Sequence, residues 1–251
     1  MPDQAVPVAF DVLGTCFDLR AAADPLRNAC PTLKDAAPGL VNAVIDDWFH
    51  STQRDFTYLS MNGSYTPMAE VFKASLPRTL AMQGLLPERP EPFTSPDHYS
   101  DLLQPVLGSI KTLPARPGLG AASAKLHQHG FRTMGATNGG LETTRGLFVN
   151  AFGEETAQRW DFYSCDEDQI AKPAPPVYAA IRKRLGLQPG DECWFVAAHT
   201  WDLLAAKKAG FKTALVTYEE HFVLEHLFGR PDVVAPNLEI LAEQIIAKTR
   251  Q

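Results

Sequence analysis

The sequence predicts an α/β fold, a doubly wound parallel sheet with an inserted helical domain. After about residue 112, short apolar runs that end at polar or turn residues alternate with segments of helical hydrophobic spacing. This alternation is typical of a parallel sheet covered by helices. A separate apolar run at residues 6–10 is a candidate for one more strand, and the stretch between the two regions has helical spacing only. We therefore expect an α/β core formed by residues 1–15 and 112–251 and a helical cap formed by residues 16–111.

The first predicted strand is the β-branched, apolar run at residues 6–10 (VPVAF), which stops abruptly at Asp11. An apolar run with such boundaries indicates a buried strand. In the predicted cap, residues such as Leu40, Val44 and Trp48 recur at helical spacing. The proline-rich segment 87–96 (PERPEPFTSP) is predicted to be a surface connection between helices.

The predicted core continues with helices that have recognisable ends. Gly130, Gly186 and Gly210 follow periodic segments and are expected to stop them, prolines at 175–176 can begin a helix, and Asn237 can cap the last one. The predicted helices cover 118–129, a segment beginning near Leu141, 175–185, 202–209 and the segment after Asn237; the predicted strands cover 131–137, 160–164, 193–197, 212–217 and a segment beginning at Val233.

The composition bounds the kinds of partner. The chain has 251 residues, 45% of them hydrophobic and 21% charged, with 23 basic and 29 acidic side chains. These figures are typical of a globular protein and exclude a collagen, a coiled coil and a chain that is disordered throughout. The net charge of −6 argues against nucleic acid as the main partner. A small-molecule substrate is the remaining expectation.

The cellular setting follows from the cysteines and from the apolar runs. Cys16, Cys30, Cys165 and Cys193 form no CxxC pair, so we expect neither a disulfide framework nor a zinc site. The N-terminus lacks the pattern of a signal peptide, and no stretch approaches the roughly 18 apolar residues of a membrane span. We expect a cytoplasmic protein with no membrane partner.

Chemistry-bearing side chains follow several predicted strands. In open parallel sheets, ligands bind outside the carboxyl ends of the strands. The residues expected to converge at that edge are Asp11, Thr137, Asn138, Lys172, His199 and Asp202.

Each of these residues also has a structural interpretation. Asp11 could cap a turn at the end of a strand, and Lys172 could be a solvated surface side chain. Asp202 lies in the first turn of a predicted helix, where the helix dipole already favours a negative charge. His199 could cap that helix, and Tyr178 could pack in the core or point into the same crevice. The residues alone leave these alternatives open.

Four segments of the sequence resemble the motifs of a known family, and they have the order and spacing of those motifs. They are residues 10–15 (FDVLGT), residues 137–139 (TNG), Lys172-Pro173 with Tyr178, and residues 196–202 (VAAHTWD). Together they resemble the haloacid dehalogenase superfamily, whose core is Rossmann-like. Within it, the chain is similar to the type II L-2-haloacid dehalogenases, and residues 53–58 (QRDFTY) fit the cap of that family.

The resemblance implies a substitution at carbon. Asp11 would displace halide from a 2-haloacid and form an aspartyl ester that water then hydrolyses. Lys172 would keep Asp11 ionised, Thr15 would orient it, and Asp202 with His199 would position or activate the water. A homodimer is also an expectation from the resemblance. Substrate contacts are expected from Leu13, His50, Thr137, Asn138, Tyr178 and His199.

Phosphatases form the larger class in this superfamily, and two features argue against that activity. Their second acid lies two residues after the nucleophile, where this chain has Leu13. Their Gly-Asp pair, which helps to hold magnesium, is replaced here by Ala197-Ala198. Since magnesium needs carboxylate oxygens, we expect no metal and no other cofactor.

The chain also departs from the dehalogenase pattern. Where the family usually has a halide-binding arginine, this chain has His50, and a serine and an asparagine of the family's fourth motif become Ala197 and His199. The family's serine in the second motif is Thr137 here. A second reading is therefore a relative that uses the same aspartate on a non-halogenated substrate. A phosphatase or a binding protein without activity is the remaining alternative.

Overall fold

The chain forms two compact units that divide after Phe17 and after Pro114. The computed structural model describes residues 5–86, 88 and 90–250. Residues 87 and 89 of the predicted proline-rich connection lie outside the described residues, whereas its last residue begins a short 3-10 helix, Pro96–Tyr99.

The helical unit, Asp18–Pro114, is built from amphipathic helices that pack through buried apolar faces. Trp48 illustrates the packing, since its ring lies edge-on to Phe72 and its indole nitrogen donates to Ser75 Oγ at 3.1 Å. In the described part of this unit the α-helices are α1 (Ala23–Ala29), α2 (Pro38–Met61), α3 (Met68–Met82) and α4 (Ser100–Ile110).

The α/β unit contains a parallel sheet, which confirms the predicted fold class. Among the described residues the strands are β1 (Pro7–Phe10), β2 (Arg132–Thr137), β3 (Trp160–Ser164), β4 (Trp194–Ala197), β5 (Lys212–Val216) and β6 (Val233–Ala235). Their order in the sheet is β3-β2-β1-β4-β5-β6, so β1 and β4 lie at its centre. Every pair of neighbouring strands is parallel.

Helices connect these strands, and the predicted ones are present with ends shifted by one or two residues. Two short helices, Glu154–Ala157 and Glu225–Phe228, were not predicted; each is only one turn long and gives no periodic signal. In the described chain the helices are α5 (Leu119–Gln128), α6 (Leu141–Phe152), α7 (Glu154–Ala157), α8 (Pro175–Arg184), α9 (Thr200–Lys208), α10 (Glu225–Phe228) and α11 (Leu238–Thr249). Of all the described helices, none has both the length and the apolar character needed to cross a bilayer.

Close packing fixes the position of the central strands. All four residues of β1 are buried, and the Asp11 amide donates to Val196 O at 2.9 Å, so the pairing with β4 continues to the residue after the strand. A Cβ on Gly135 of β2 would lie 3.1 Å from Phe162 and 3.5 Å from Val12. Only glycine lets the chain approach this closely, so β2 lies tightly against the segment that follows Asp11.

Candidate active site

The loop that follows β1 holds the Asp11 carboxylate in one orientation. The chain turns at Gly14, whose φ of 84° is readily adopted only by glycine. Thr15 Oγ1 donates to Asp11 Oδ2 at 2.7 Å and accepts from the Ala198 amide at 2.8 Å. Since the hydroxyl has one proton and the Ala198 amide can only donate, the direction of both bonds is determined. Asp11 is 9% exposed and Thr15 is fully buried.

Lys172 is fully buried and bridges two carboxylates. These are Asp11, directly after β1, and Asp202, in the first turn of α9. Lys172 Nζ donates to Asp11 Oδ1 at 2.9 Å and to Asp202 Oδ2 at 3.0 Å. The ammonium also lies 5.1 Å from the centre of the Phe195 ring, within the range of a cation–π contact. A buried ammonium with such partners is ionised and neutralises part of the local negative charge.

Opposing effects set the pKa values of this cluster. Burial lowers the pKa of Lys172, but the charges of Asp11 and Asp202 outweigh it, so the pKa of Lys172 is raised. Burial raises the pKa of Asp202 to about 6, although the Lys172 charge opposes the increase. The Asp202 carboxylate is therefore a stronger base than an exposed aspartate and is still largely ionised at neutral pH.

Tyr178, on α8, points into the cluster. Its hydroxyl donates to Asp202 Oδ1 and is buried. Burial, and then the Asp202 charge, raise the pKa of Tyr178, so the phenol keeps its proton and remains a donor. Asp202 is consequently held by Tyr178 at one oxygen and by Lys172 at the other.

The end of β2 contributes an amide and a hydroxyl to the same edge of the sheet. Asn138 Oδ1 accepts from the Lys172 backbone amide at 3.0 Å, so the asparagine positions the lysine through the main chain. Thr137 Oγ1 accepts from the Gly139 amide at 2.9 Å. The proton of the Thr137 hydroxyl is not used in this bond. The structure therefore brings together six of the predicted site residues through hydrogen bonds: Asp11, Thr15, Asn138, Lys172, Tyr178 and Asp202.

The other predicted residues lie outside that hydrogen-bonded set. Leu13 is half-buried in the loop after Asp11, and His199 is 3% exposed, precedes α9 and stacks on Trp201. Thr137 is buried at the end of β2. His50 lies on α2 of the helical unit, where its side chain is exposed. The predicted contact of His50 with halide stays a prediction.

Sequence reasoning missed an ion pair beside the loop that follows Asp11. Arg116 is only 8% exposed, pairs with Glu219 and donates from Nε to Gly14 O at 3.1 Å. No spacing motif links Arg116 to Glu219, because they are about 100 positions apart and neither directly follows a predicted strand. The consecutive acids Glu219 and Glu220, placed just after β5, were the available signal.

The fold and this cluster of Asp, Lys and Asp at the carboxyl ends of parallel strands define a class of hydrolases. The chain belongs to the haloacid dehalogenase-like hydrolase family, whose model matches residues 8–210. This confirms the resemblance found in the sequence motifs.

Two of the curated proteins to which the chain is similar are (S)-2-haloacid dehalogenases. The chain is 32% identical to (S)-2-haloacid dehalogenase 1 of Pseudomonas sp. (strain CBS-3) over 117 residues, 47% of this chain and 50% of the relative. It is 27% identical to the (S)-2-haloacid dehalogenase of Xanthobacter autotrophicus over 210 residues, 83% of this chain and 74% of the relative. The first of these matches spans about half of the curated relative's length.

A solved structure extends the likeness to the whole fold. The L-2-haloacid dehalogenase from Xanthobacter autotrophicus matches with a TM-score of 0.72 at 23% identity, over 96% of this chain and 98% of that one. The structure of that enzyme with chloropropionic acid covalently bound matches equally well. At this identity the likeness establishes the fold.

The donor set does not fit the magnesium ion that phosphatases of the superfamily use. Ala197 and Ala198, which stand where the resemblance places the magnesium-holding Gly-Asp pair, offer no side-chain oxygen. Lys172 Nζ is paired with one carboxylate oxygen of Asp11 and with one of Asp202. Among the described residues, no group of three or more His, Cys, Asp or Glu side chains is placed to hold a metal ion.

Proposed function

We propose that this protein is a hydrolytic dehalogenase of short 2-haloacids that acts through an ester on Asp11 and needs no metal ion. The observation that carries the proposal is the arrangement around Asp11: one carboxylate oxygen accepts from Lys172 and the other from Thr15. Such a carboxylate is paired with a cation and held in one orientation, which suits a nucleophile. The 2-haloacid dehalogenases among the relatives support the substrate class.

In the first half-reaction, an Asp11 oxygen attacks the carbon that bears the halogen. The new C–O bond forms as the C–X bond breaks, and the halide leaves with the bonding electron pair. Each Asp11 oxygen accepts one hydrogen bond and retains a lone pair for the attack. Leu13 carries no proton to donate, which suits a halide leaving group because a halide needs no general acid.

In the second half-reaction, water attacks the carbonyl carbon of the Asp11 ester. Water adds to this carbon and passes a proton to Asp202, which gives a tetrahedral intermediate. The bond between the acyl carbon and the substrate oxygen then breaks, and that oxygen takes the proton from Asp202. The 2-hydroxyacid departs and the Asp11 carboxylate is restored. Asp202 suits this role because burial raises its pKa to about 6. The Lys172 ammonium stabilises the negative charge that develops on the tetrahedral intermediate.

The substrate carboxylate would bind at the end of β2. The Thr137 proton and the Asn138 side-chain amide are donors at this edge, and the Lys172 ammonium offsets the charge that the substrate carboxylate brings. His199 would help to position the hydrolytic water, and His50 would take the place of the halide-binding arginine.

One turnover in ¹⁸O-labelled water with enzyme in excess tests the ester route. We expect halide release from 2-chloropropionate and incorporation of one ¹⁸O into the Asp11 peptide, measured by mass spectrometry. The control is Asp11→Asn, which should release no halide while its circular dichroism and melting temperature stay close to those of the wild type. Label in the 2-hydroxyacid with none in the Asp11 peptide would refute the ester.

A second candidate uses the same ester chemistry on a non-halogenated substrate. It is favoured by Ala197 and His199, which replace a serine and an asparagine of the dehalogenase pattern with an apolar and an imidazole side chain, both buried. Absence of halide release together with substrate-dependent labelling of Asp11 would select this candidate. Magnesium-dependent hydrolysis of p-nitrophenyl phosphate would contradict both.

A further inference from the structure

The loop after β5 carries two consecutive acids whose side chains contact different segments of the site. Glu219 pairs with Arg116, and Glu220 accepts from the backbone of Thr200. Successive side chains of an extended or turning loop point in different directions. One short loop can therefore contact both Arg116 and the backbone of Thr200. The four segments that carry the family resemblance include neither acid.

Glu219 acts on the segment that carries the nucleophile. The Glu219 and Arg116 side chains are each 8% exposed, and the Arg116 guanidinium lies 5.1 Å from the centre of the Tyr218 ring. Arg116 Nε donates to Gly14 O at 3.1 Å, and the Arg116 amide donates to Cys16 O at 2.8 Å. The carbonyls on both sides of Thr15 are therefore fixed by one residue.

Glu220 acts on the segment that carries Asp202. Both of its carboxylate oxygens lie 3.1 Å from the Thr200 amide, at the first residue of α9. This amide has no partner within the helix, and a carboxylate at the N-terminus also interacts favourably with the helix dipole. Asp202 is two residues further along the same first turn.

We propose that Glu219 and Glu220 are positioning residues, with Glu219 acting through Arg116 on Asp11 and Thr15 and Glu220 acting through Thr200 on Asp202. The assignment of each acid to one half-reaction rests on the proposed function. Because Asp11 forms the ester and Asp202 serves its hydrolysis, the two acids act on different half-reactions. Displacements well below 1 Å matter at such sites, since a 1 Å misplacement costs on the order of 100-fold in rate.

Hydrogen exchange followed by mass spectrometry tests the positioning without using activity. We expect Glu219→Gln to raise amide exchange at residues 12–17 by about threefold or more and to leave residues 199–205 unchanged. Glu220→Gln should give the reverse pattern. The matched control is Glu192→Gln, which removes a surface partner of Lys212 beside the other end of β5 and should alter neither segment.

Single-turnover kinetics then separate the half-reactions. Glu219→Gln should slow ester formation by about tenfold with little change in KM, whereas Glu220→Gln should slow ester hydrolysis by about tenfold, so that the esterified Asp11 peptide accumulates. A wild-type enzyme that releases no halide from 2-haloacids would refute the proposed function, while the exchange patterns would still decide the positioning roles.

Conservative variants distinguish positioning from general stability. Arg116→Lys retains the charge but cannot reach both Gly14 O and Glu219, so it should reproduce the Glu219→Gln pattern. Arg182→Lys is its control, because Arg182 also donates to backbone carbonyls, those of Gln188 and Gly210. Equal exchange in both segments for either acid variant, or ester formation as fast as in wild type for Glu219→Gln and Arg116→Lys, would overturn the inference.

Discussion

The Thr15 hydroxyl donates to Asp11 at 2.7 Å because the Ala198 amide occupies its acceptor side. This bond fixes the rotation of the Asp11 carboxylate about its side chain. It also links the loop after β1 to the end of β4, since Ala198 directly follows that strand. The orientation of Asp11 therefore depends on the pairing of two neighbouring strands.

Replacing Thr15 by valine keeps the shape of the side chain and removes the hydroxyl. We expect Thr15→Val to lower kcat by about 10- to 100-fold, because the carboxylate is no longer oriented and the Ala198 amide loses its acceptor. Thr15→Ser should retain most of the activity. Halide release measured under steady state checks both, and equal rates in the two variants would contradict the orienting role.

Removing the ammonium of Lys172 leaves two buried carboxylates facing each other. We expect Lys172→Met to abolish halide release and to lower the free energy of unfolding at pH 8 by about 3–5 kcal/mol. The loss should be smaller at pH 5, where a carboxylate whose pKa has risen takes up a proton. Urea unfolding at both pH values measures this. Lys212→Met, which breaks an exposed pair with Glu192, should cost less than about 1 kcal/mol.

The hydrolytic step should lose rate on the acid side. Since burial raises the pKa of Asp202 to about 6, its base form is depleted as the pH falls through that value. The Tyr178 hydrogen bond lowers this pKa, so Tyr178→Phe should move the acid limb of kcat to higher pH. A pH profile of single-turnover ester hydrolysis provides the measurement. An unchanged or downward-shifted limb in Tyr178→Phe would show that Asp202 does not govern it.

The same carboxyl gives a prediction for stability. Its pKa is higher in the folded than in the unfolded chain, so between about pH 4 and 6 the folded state binds the proton more tightly. The contribution of Asp202 to stability is therefore present below about pH 4 and decreases as the pH rises to about 6. Comparing the melting temperatures of wild type and Asp202→Asn across this range isolates the effect. A difference that does not vary with pH would contradict it.

His50→Arg tests the predicted role of His50 in halide departure. An arginine offers a permanent positive charge and several N–H donors to a departing halide. We expect the variant to raise kcat for 2-chloropropionate severalfold. His98→Arg is the control, since His98 is another exposed histidine of the helical unit. An effect equal to that of His98→Arg would remove His50 from the substrate site.

The strands and the hydrogen-bonded set around Asp11 could be predicted because their signals are local. Apolar runs such as residues 6–10 end sharply at a polar residue, and parallel strands place such residues at one edge. Gly130, with a φ of 81°, and Asn237, whose side chain accepts from the Ile240 amide, mark the helix ends that the sequence predicted. The pairing of Lys172 with Asp11 was expected from the edge rule and the family resemblance, whereas its bond to Asp202 was not predicted.

The remaining features depend on pairings that no local pattern encodes. The Arg116–Glu219 pair joins two loops that are distant in sequence, so it follows only once the sheet order is known. Individual helices of the cap were not delimited because Pro77 and Pro105 lie inside α3 and α4, where proline normally indicates an end. The role of Tyr178 was open because a tyrosine on a helix packs more often than it donates.

The central place of β1 has a consequence for synthesis of the protein. This strand is synthesised before the other five described strands, yet its neighbours β2 and β4 are encoded about 120 and 185 residues later. Until those segments emerge, Val8 and Phe10 have no sheet to join and the aspartate beside them has no lysine to counter its charge. Strand β1 therefore stays unpaired until these later segments have been synthesised, and its apolar side chains are exposed to non-native contacts in that interval.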